Sequence, residues 1–332
     1  MSLSPLDNAA FGLFFTHSLH LADKHGIFSH LIQSGPSSAT EIATSRKIDP
    51  ETTERLLVVL AALSVLERDG AGTYGIPSEL APRLDADDPR YIGGFVSHLA
   101  TNTTEQIHKL DAYLTHGKAA VDAELPDPFA VIYRDESSVA AFLEAMWQLS
   151  YEPSKEIADL ARLASVRHLV DVGGASGAFG VAALAQYPGL QVTVFDLPEV
   201  EPHLVRTADR HQLSDRLHFV AGDFFKDPLP AADCLSFGYI LSDWEDEVCL
   251  ELLTKAYQAC EPNGRVMVME RLFDDDGGPL PTAVMNLSMH VETRGRHRTA
   301  AEYTELLVKA GFADCSTHHS SWDKHLVTGR KP

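Results

Sequence analysis

Cysteine is scarce: Cys234, Cys249, Cys260 and Cys315 are the four in 332 residues, and no two form a C-x-x-C pair. Such scatter offers neither a disulfide framework nor a zinc site, and it suits a reducing compartment, the cytoplasm. Positive charge is also short, with 27 Lys and Arg against 47 Asp and Glu and a net charge of −20. A chain this acidic repels phosphate backbones, which argues against a nucleic-acid partner. Long apolar runs are missing too. The stretch from Phe11 to Leu19 is apolar-rich, but Thr16, His17 and Ser18 interrupt it and Asp23 and Lys24 follow. It reads as neither a signal peptide nor a membrane span. No internal repeat and no low-complexity tract occurs. What remains is an ordinary globular composition, 45% apolar, in a chain long enough for about two domains.

One stretch organises the rest. Arg167-His168-Leu169-Val170-Asp171-Val172 is a short apolar run ending in glycines, Gly173-Gly174-Ala175-Ser176-Gly177, and a helical pattern follows. That is the signature of a buried parallel strand, a tight turn and a helix N-terminus with unpaired N–H groups. The dinucleotide spacing G-x-G-x-x-G is absent; the run is D-x-G-G-x-x-G. A second strand, Gln191 to Asp196, ends in an acid. A carboxylate there can accept both hydroxyls of a ribose. The residues alone leave three readings open: a nucleoside methyl donor, a dinucleotide, or a purely structural turn.

Before this stretch the chain reads as helices. Residues 5–33 form one amphipathic helical region, with Ala9, Phe14, Leu19, Leu21, Ile27, Phe28 and Leu31 apolar, broken at Gly35-Pro36. Ser38 and Glu41 spell a capping box, and Asp49-Pro50 starts a third helix. Glu67 to Ile76 reads as a hairpin around Asp69-Gly70-Ala71-Gly72. Helix, helix, hairpin is winged-helix order. The third helix is apolar rather than basic, so burial against a partner subunit suits it better than DNA. Residues 91–165 read as helical, and Asp127-Pro128-Phe129 to Leu149 carries Tyr133, Met146 and Trp147 as core or as a lid.

After residue 167 strands and helices alternate. Arg216–Ala221, Asp233–Ile240 and Gly264–Glu270 follow as strands, and Cys315–Ser320 with His325–Arg330 close as a pair. The expected fold class is α/β, a doubly wound Rossmann-like sheet with ligands at the strand C-termini, behind an N-terminal mostly helical domain. The boundary is set at residues 1–100 and 101–332, with a helical lid over 101–165.

Taken together, Asp171–Gly177, Val194-Phe195-Asp196-Leu197-Pro198-Glu199-Val200, Gly222-Asp223-Phe224-Phe225, Asp243-Trp244-Glu245 and Arg298-Thr299-Ala300 resemble the small-molecule O-methyltransferases typified by acetylserotonin and plant caffeate-type enzymes. The resemblance covers nearly the whole chain. It implies S-adenosylmethionine as cofactor, a small-molecule acceptor, a winged-helix-like dimerisation domain making a homodimer, no membrane and no metal. It places Gly173 and Gly174 under the methionine part of the cofactor, Asp196 with Leu197 at the ribose, and Gly222, Asp223 and Phe224 at the adenine. Tyr133 and Tyr239 fall where the family has further cofactor contacts. Met146, Trp147, Asn286, Ser288, Met289, Glu292 and Arg294 fall at the acceptor.

The departures sit at the chemistry. The family's catalytic histidine directly precedes Asp-Trp; here that position is Ser242, before Asp243. A serine hydroxyl is not ionised near neutral pH and cannot serve as a base. The family's glutamate opposite that histidine is replaced by His297, while Glu270 is retained. These changes lead to two expectations. A hydroxyl acceptor would hand its proton to His297 as a relocated base. Alternatively, a thioether acid such as 4-methylthio-2-hydroxybutyrate would need no base, its carboxylate held by Arg294, Arg296 or Arg298. A non-catalytic cofactor-binding relative is the reading from another class.

Overall fold

In the computed structural model the described residues are 4–88, 90–123 and 133–332. They form two compact units, Met1–Glu105 and Gln106–Pro332. The portion of the expected lid at residues 124–132, including Asp127, Pro128 and Phe129, lies outside the described residues.

In the first unit the helical region expected over 5–33 is two helices, α1 (Pro5–Lys24) and α2 (Ile27–Ser34). The chain turns between them at Gly26, whose φ of +70° ends one helix and starts the next. α3 (Ala39–Arg46) has the expected capping box, Ser38 accepting from the Glu41 N–H while Glu41 accepts from the Ser38 N–H. α4 (Pro50–Ala62) is capped by Asp49. The hairpin is short, β1 (Glu67–Arg68) and β2 (Tyr74–Gly75), its turn held by Asp69 accepting the N–H groups of Ala71 and Thr73. Ile27, Phe28, Leu31, Ile42, Leu57, Leu60 and Tyr74 make the core of this unit. α1 buries only Ser18 and Ala22 among its described residues, and Leu6, Phe11, Leu13 and Phe14 are exposed. α5 (Ala81–Leu84) follows, and α6 (Gly93–His116) runs across the boundary.

The second unit adds α7 (Lys118–Asp122) and the long α8 (Glu136–Ala161), then the alternating region. Its elements are β3 (His168–Val172), α9 (Ala178–Gln186), β4 (Gln191–Asp196), α10 (Glu201–Arg210), β5 (Leu217–Ala221), β6 (Ala232–Gly238), α11 (Asp246–Ala259), β7 (Cys260–Glu270), β8 (Leu272–Phe273), α12 (Leu280–Glu292), β9 (Arg298–Thr299), α13 (Ala300–Lys309), β10 (Ala313–His318) and β11 (His325–Arg330). The sheet order is β10-β11-β7-β6-β3-β4-β5. β7, β6, β3, β4 and β5 are parallel, and β11 and β10 close the edge antiparallel.

The buried apolar runs of the central strands explain why both faces are covered. One face packs on Leu252, Leu253 and Ala256 of α11 and Leu306 and Leu307 of α13. The other packs on Ile157 of α8, Val181 and Leu184 of α9 and Leu204 of α10. From β3 the chain winds outward to β5, then returns to place β6 on the other side of β3. That switch point opens a crevice at the C-terminal ends of β3 and β6, where ligands bind in folds of this type.

The capping box gives a direct test of local sequence control. Ser38→Ala should lower stability by about 1 kcal/mol, read as a lower urea midpoint. An unchanged midpoint would show that tertiary packing alone fixes the start of α3.

Candidate active site

The turn after β3 is shaped by close contacts. Gly173 has a φ of +68°, and a side chain there would run into Ile240. Its N–H donates to the Phe195 carbonyl at 2.8 Å, tying the turn to the end of β4. Gly174 lies against the Asp171 carboxyl. Asp171 accepts from the Ser236 hydroxyl at 2.6 Å. Burial pushes its carboxyl up to about 6, against the pull of Ser236 and the Lys324 ammonium.

Asp196 stands beside this turn at the end of β4. One oxygen accepts the Ala175 N–H at 2.9 Å and the other the Leu197 N–H at 2.8 Å. Burial raises this carboxyl to about 6 even though those two N–H groups favour its charge. An ionised carboxylate has roughly four acceptor positions, so two remain for a ligand. Gly222 donates its N–H to the Asp196 carbonyl at 2.9 Å. Asp223 caps the next turn, accepting the Phe225 N–H at 2.9 Å and pairing with Lys226 at 2.8 Å. Phe224 flanks Gly173 and meets Phe225 and Trp244 edge-on. Tyr133 packs on Phe142 and shares an apolar cluster with Ala175. Burial, then the charge of Asp196, push its phenol well above the usual range.

The loop after β6 carries the residues at which the sequence departs from the resemblance. Arg298, fully buried, holds it. The guanidinium donates to the Leu241 carbonyl at 2.9 Å, to the Trp244 carbonyl at 2.8 Å and to Asp246 at 2.6 and 2.8 Å. Gly295 presses on the backbone of Ser242, Asp243 and Trp244 so closely that no side chain fits. Ser242 is fully buried, and its N–H donates to Glu270 at 3.2 Å. The Ser242 hydroxyl lies against the same carboxyl without a well-aligned hydrogen bond. Burial lifts Glu270 to about 7, while the Ser242 N–H and hydroxyl, Lys324 and Arg298 pull the other way. Asp243 is raised well above the carboxylate range by burial, then by the charges of Glu270 and Glu292. Among the described residues, Ser242 Oγ, Glu270 Oε2 and both ring nitrogens of His297 are buried without a hydrogen-bond partner.

His297 does not sit as a relocated base should. The ring is 2% exposed. Burial drives its pKa down to about 4, and the Arg271 and Arg298 guanidiniums oppose its protonation further. Such an imidazole is neutral near pH 7 but holds a proton poorly. Asn286 fixes the backbone here, its Oδ1 accepting the His297 N–H at 2.8 Å.

Other expected acceptor residues are dispersed. Trp147 stacks on Tyr151 at 4.7 Å and lies beside His211, against the core. Met146 is half-buried on α8. On α12, Ser288 donates to Gln106 at 3.4 Å, Glu292 accepts from Gln106, and the Met289 carbonyl accepts from Thr293. Of the three arginines expected to offer a carboxylate site, two are engaged elsewhere. Arg298 is the loop clamp, Arg296 pairs with Glu302 at 2.8 Å and Asp246 at 3.4 Å, and the exposed Arg294 donates its backbone N–H to Asp243. Tyr239, at a φ of +57°, has its ring between the Lys324 ammonium at 4.4 Å and the Arg271 guanidinium at 5.9 Å.

Lys324 was missed by sequence reasoning. It is 1% exposed, donates to Ser150 at 2.7 Å, and burial lowers it to about 8. Its only sequence signal is a lysine at the start of a strand that should be buried. A cavity of about 490 Å³ at the opposite, N-terminal edge of the sheet is lined by Arg167, His168, Gln191, His218, Asp233 and Glu261. Its groups serve one another: Asp233 accepts the Arg167 and His168 N–H groups, and His218 meets Gln191. Among the described residues no group of His, Cys, Asp and Glu could hold a metal, and no helix is long and apolar enough to cross a membrane.

A parallel sheet with a glycine turn after its central strand, an acid ending the next strand and a buried Ser-Asp-Trp loop beside them defines a class, and comparison places the chain in it. Residues 102–313 match the O-methyltransferase domain and residues 8–80 the O-methyltransferase dimerisation domain. The chain is 34% identical to acetylserotonin O-methyltransferase of Macaca mulatta over 323 residues, 91% of this chain and 90% of that one. It is 33% identical to 3-hydroxy-5-methyl-1-naphthoate 3-O-methyltransferase of Streptomyces sahachiroi over 316 residues, covering 94% and 90%. The structure of human N-acetylserotonin methyltransferase in complex with SAM superposes with a TM-score of 0.88 at 30% identity, covering 98% and 96%. The chain belongs to the O-methyltransferase family.

The clamp yields a stability test. Arg298→Leu strands two buried carbonyls and leaves Asp246 without its buried cation. Because Asp246 is half exposed, its own share is screened. The loss should still be on the order of 3 kcal/mol, read by urea unfolding. A change within experimental error would show that other contacts hold the loop.

Proposed function

We propose that this protein transfers a methyl group from S-adenosylmethionine to a hydroxyl of a small metabolite. The observation that carries the reading is Asp196, which stands at the end of β4 against the Gly173–Ala175 turn with two acceptor positions to spare. Ribose hydroxyls donate, and an acceptor-only carboxylate at a strand end is the group to take them. Gly173 and Gly174 would pass under the methionine part, Leu197 would flank the ribose, and Gly222, Asp223 and Phe224 would border the adenine. Tyr133, beside Asp196, closes the cradle from α8's side.

S-adenosylmethionine supplies a methyl group on a positively charged sulfur, open to in-line displacement. This chain's part is to hold the acceptor against that methyl group and keep water out. Positioning of this kind accounts for much of the acceleration in such reactions. Asp243 and Glu270, at the ends of adjacent elements, border the acceptor; Glu270, titrating near 7, is the one that can carry charge there, while burial disfavours the charged form of Asp243. Tyr239, with the Lys324 and Arg271 cations near its ring, is assigned to the cofactor side of the site. The relatives named for acetylserotonin and for a hydroxynaphthoate favour a hydroxyl acceptor. The thioether-acid reading has less support from Arg298 and Arg296, which are engaged with Asp246 and Glu302. A radiolabelled transfer screen over naphthols, other phenols, alcohols and thioether acids tests this. Label in a hydroxyl compound supports the reading; label only in a thioether, or in nothing, contradicts it.

Cofactor affinity gives a second test. Asp196→Ala should weaken S-adenosylmethionine binding by about 10²–10⁴-fold, the loss of two hydrogen bonds to a charged group. For the wild type, affinity should fall as pH drops through about 6, where protonation of Asp196 removes an acceptor. Calorimetry reads both, and an unchanged affinity in the variant would remove Asp196 from the site. We further propose a homodimer through the first unit, because Phe11, Leu13 and Phe14 leave an apolar face on α1 within the stretch that matches the dimerisation domain. Light scattering at micromolar concentration should give twice the chain mass; a monomer would contradict it.

A further inference from the structure

We propose that Ser242 and Glu270 act as a pair in which the serine hydroxyl passes the acceptor's proton to the glutamate carboxylate. The inference rests on the hydroxyl-acceptor reading above. It gives the substituted serine a role and makes Glu270 the final proton acceptor in place of His297.

The geometry carries it. Glu270 ends β7 and Ser242 opens the loop after β6, so two neighbouring parallel strands deliver them to the same edge. The Ser242 N–H is fixed on one carboxylate oxygen at 3.2 Å. The other oxygen and the Ser242 hydroxyl are both buried and without a hydrogen-bond partner among the described residues. A buried hydroxyl and a buried carboxylate oxygen left unsatisfied side by side are costly unless a ligand completes them. An acceptor hydroxyl does so: it donates to Ser242 Oγ while Ser242 donates to Glu270 Oε2.

In the step that follows, the acceptor proton moves to Ser242 Oγ and the serine's own proton moves to Glu270. The acceptor oxygen's electron pair forms the bond to the methyl carbon. The carbon–sulfur bond breaks with its pair retained on sulfur, giving S-adenosylhomocysteine, the methyl ether and a neutral Glu270. The serine ends as it began, so no ionised serine is required.

The groups facing Glu270 set its proton affinity. Lys324 from the segment before β11 and Arg298 from β9 favour the carboxylate. Asp243 on the loop, Tyr239 after β6, Tyr303 on α13 and Cys249 on α11 also feel its charge. Burial outweighs the cations, so the carboxyl titrates near 7, the range in which a general base is both ionised and strong enough to accept a proton. His297, facing Arg271 and Arg298 and titrating near 4, is the weaker candidate on the same reasoning.

The test uses the full-length enzyme with S-adenosylmethionine and two probes. 1-Naphthol must lose its proton at the active site; 4-nitrophenol arrives largely ionised at mildly alkaline pH. Wild-type kcat/KM on 1-naphthol should fall as pH drops through about 7. Lys324→Met, which removes a cation favouring the carboxylate, should move that limb to higher pH. Glu270→Gln should lower kcat on 1-naphthol by about 10²–10⁴-fold, with a much smaller loss on 4-nitrophenol, and Glu270→Asp should recover part of it. Calorimetric cofactor binding checks that each variant is folded. Should Glu270→Gln not fold, the wild-type limb and its shift in Lys324→Met still decide. Equal losses on both probes, a limb that Lys324→Met leaves in place, or a limb abolished by His297→Ala would each overturn the proposal. If neither probe is methylated while a thioether acid is, the hydroxyl reading itself fails, and the proton route with it.

Discussion

The buried guanidinium of Arg298 is the constraint on which the site depends. It comes from β9, far along the chain from the loop it holds, yet its donors reach the Leu241 and Trp244 carbonyls and Asp246 together. Those carbonyls flank Ser242 and Asp243. Without a buried donor they would turn toward water, and the loop would leave its place over Glu270. Arg298 is the buried partner of this half-exposed pair, and without its carbonyl and carboxylate partners it would be an unpaired charge in the interior. Gly295 completes the arrangement by letting the 293–297 segment lie directly on the loop backbone.

Burial then sets the electrostatics. Asp171, Asp196, Asp243 and Glu270 all sit at the C-terminal edge of the sheet, and burial raises each of them. Lys324 is the countercharge that Asp171 and Glu270 share, itself lowered by the same burial. In the proposed function these carboxyls act as acceptors while ionised: Asp196 for the ribose hydroxyls and, through Ser242, Glu270 for an acceptor hydroxyl. On the proposed route, Glu270 takes the proton that the family's histidine would take.

The fold was largely legible because its signals are local. The apolar run ending in Asp171-Val172, the glycines and the acid at Asp196 lie within short stretches whose periodicity and spacing carry the strand–turn–helix pattern. The break at Gly26 was missed because the apolar pattern runs through it and only the backbone conformation reveals the turn. The site was legible in part. Asp196 follows from its strand-end position and Glu270 from the family resemblance, but the burial of His297 near two guanidiniums comes from residues distant in sequence. The arginine triplet read as a carboxylate fork because spacing shows neighbours, not partners; Asp246 and Glu302 had already engaged two of the three. Trp147 likewise found Tyr151 one helical turn away, with His211 brought alongside by the fold. Lys324 gave almost no signal, since a lysine before a strand is ordinarily solvated.

The central claim is that Ser242 and Glu270, supported by the Arg298 clamp, form the acceptor end of the site. The most direct measurement is a crystal structure with S-adenosylhomocysteine and the methyl acceptor found by the transfer screen. The account predicts the acceptor oxygen within hydrogen-bond distance of Ser242 Oγ, with Ser242 in turn bonded to Glu270 and the ribose on Asp196. An acceptor oxygen directed at His297, or held away from both Ser242 and Glu270, would contradict it.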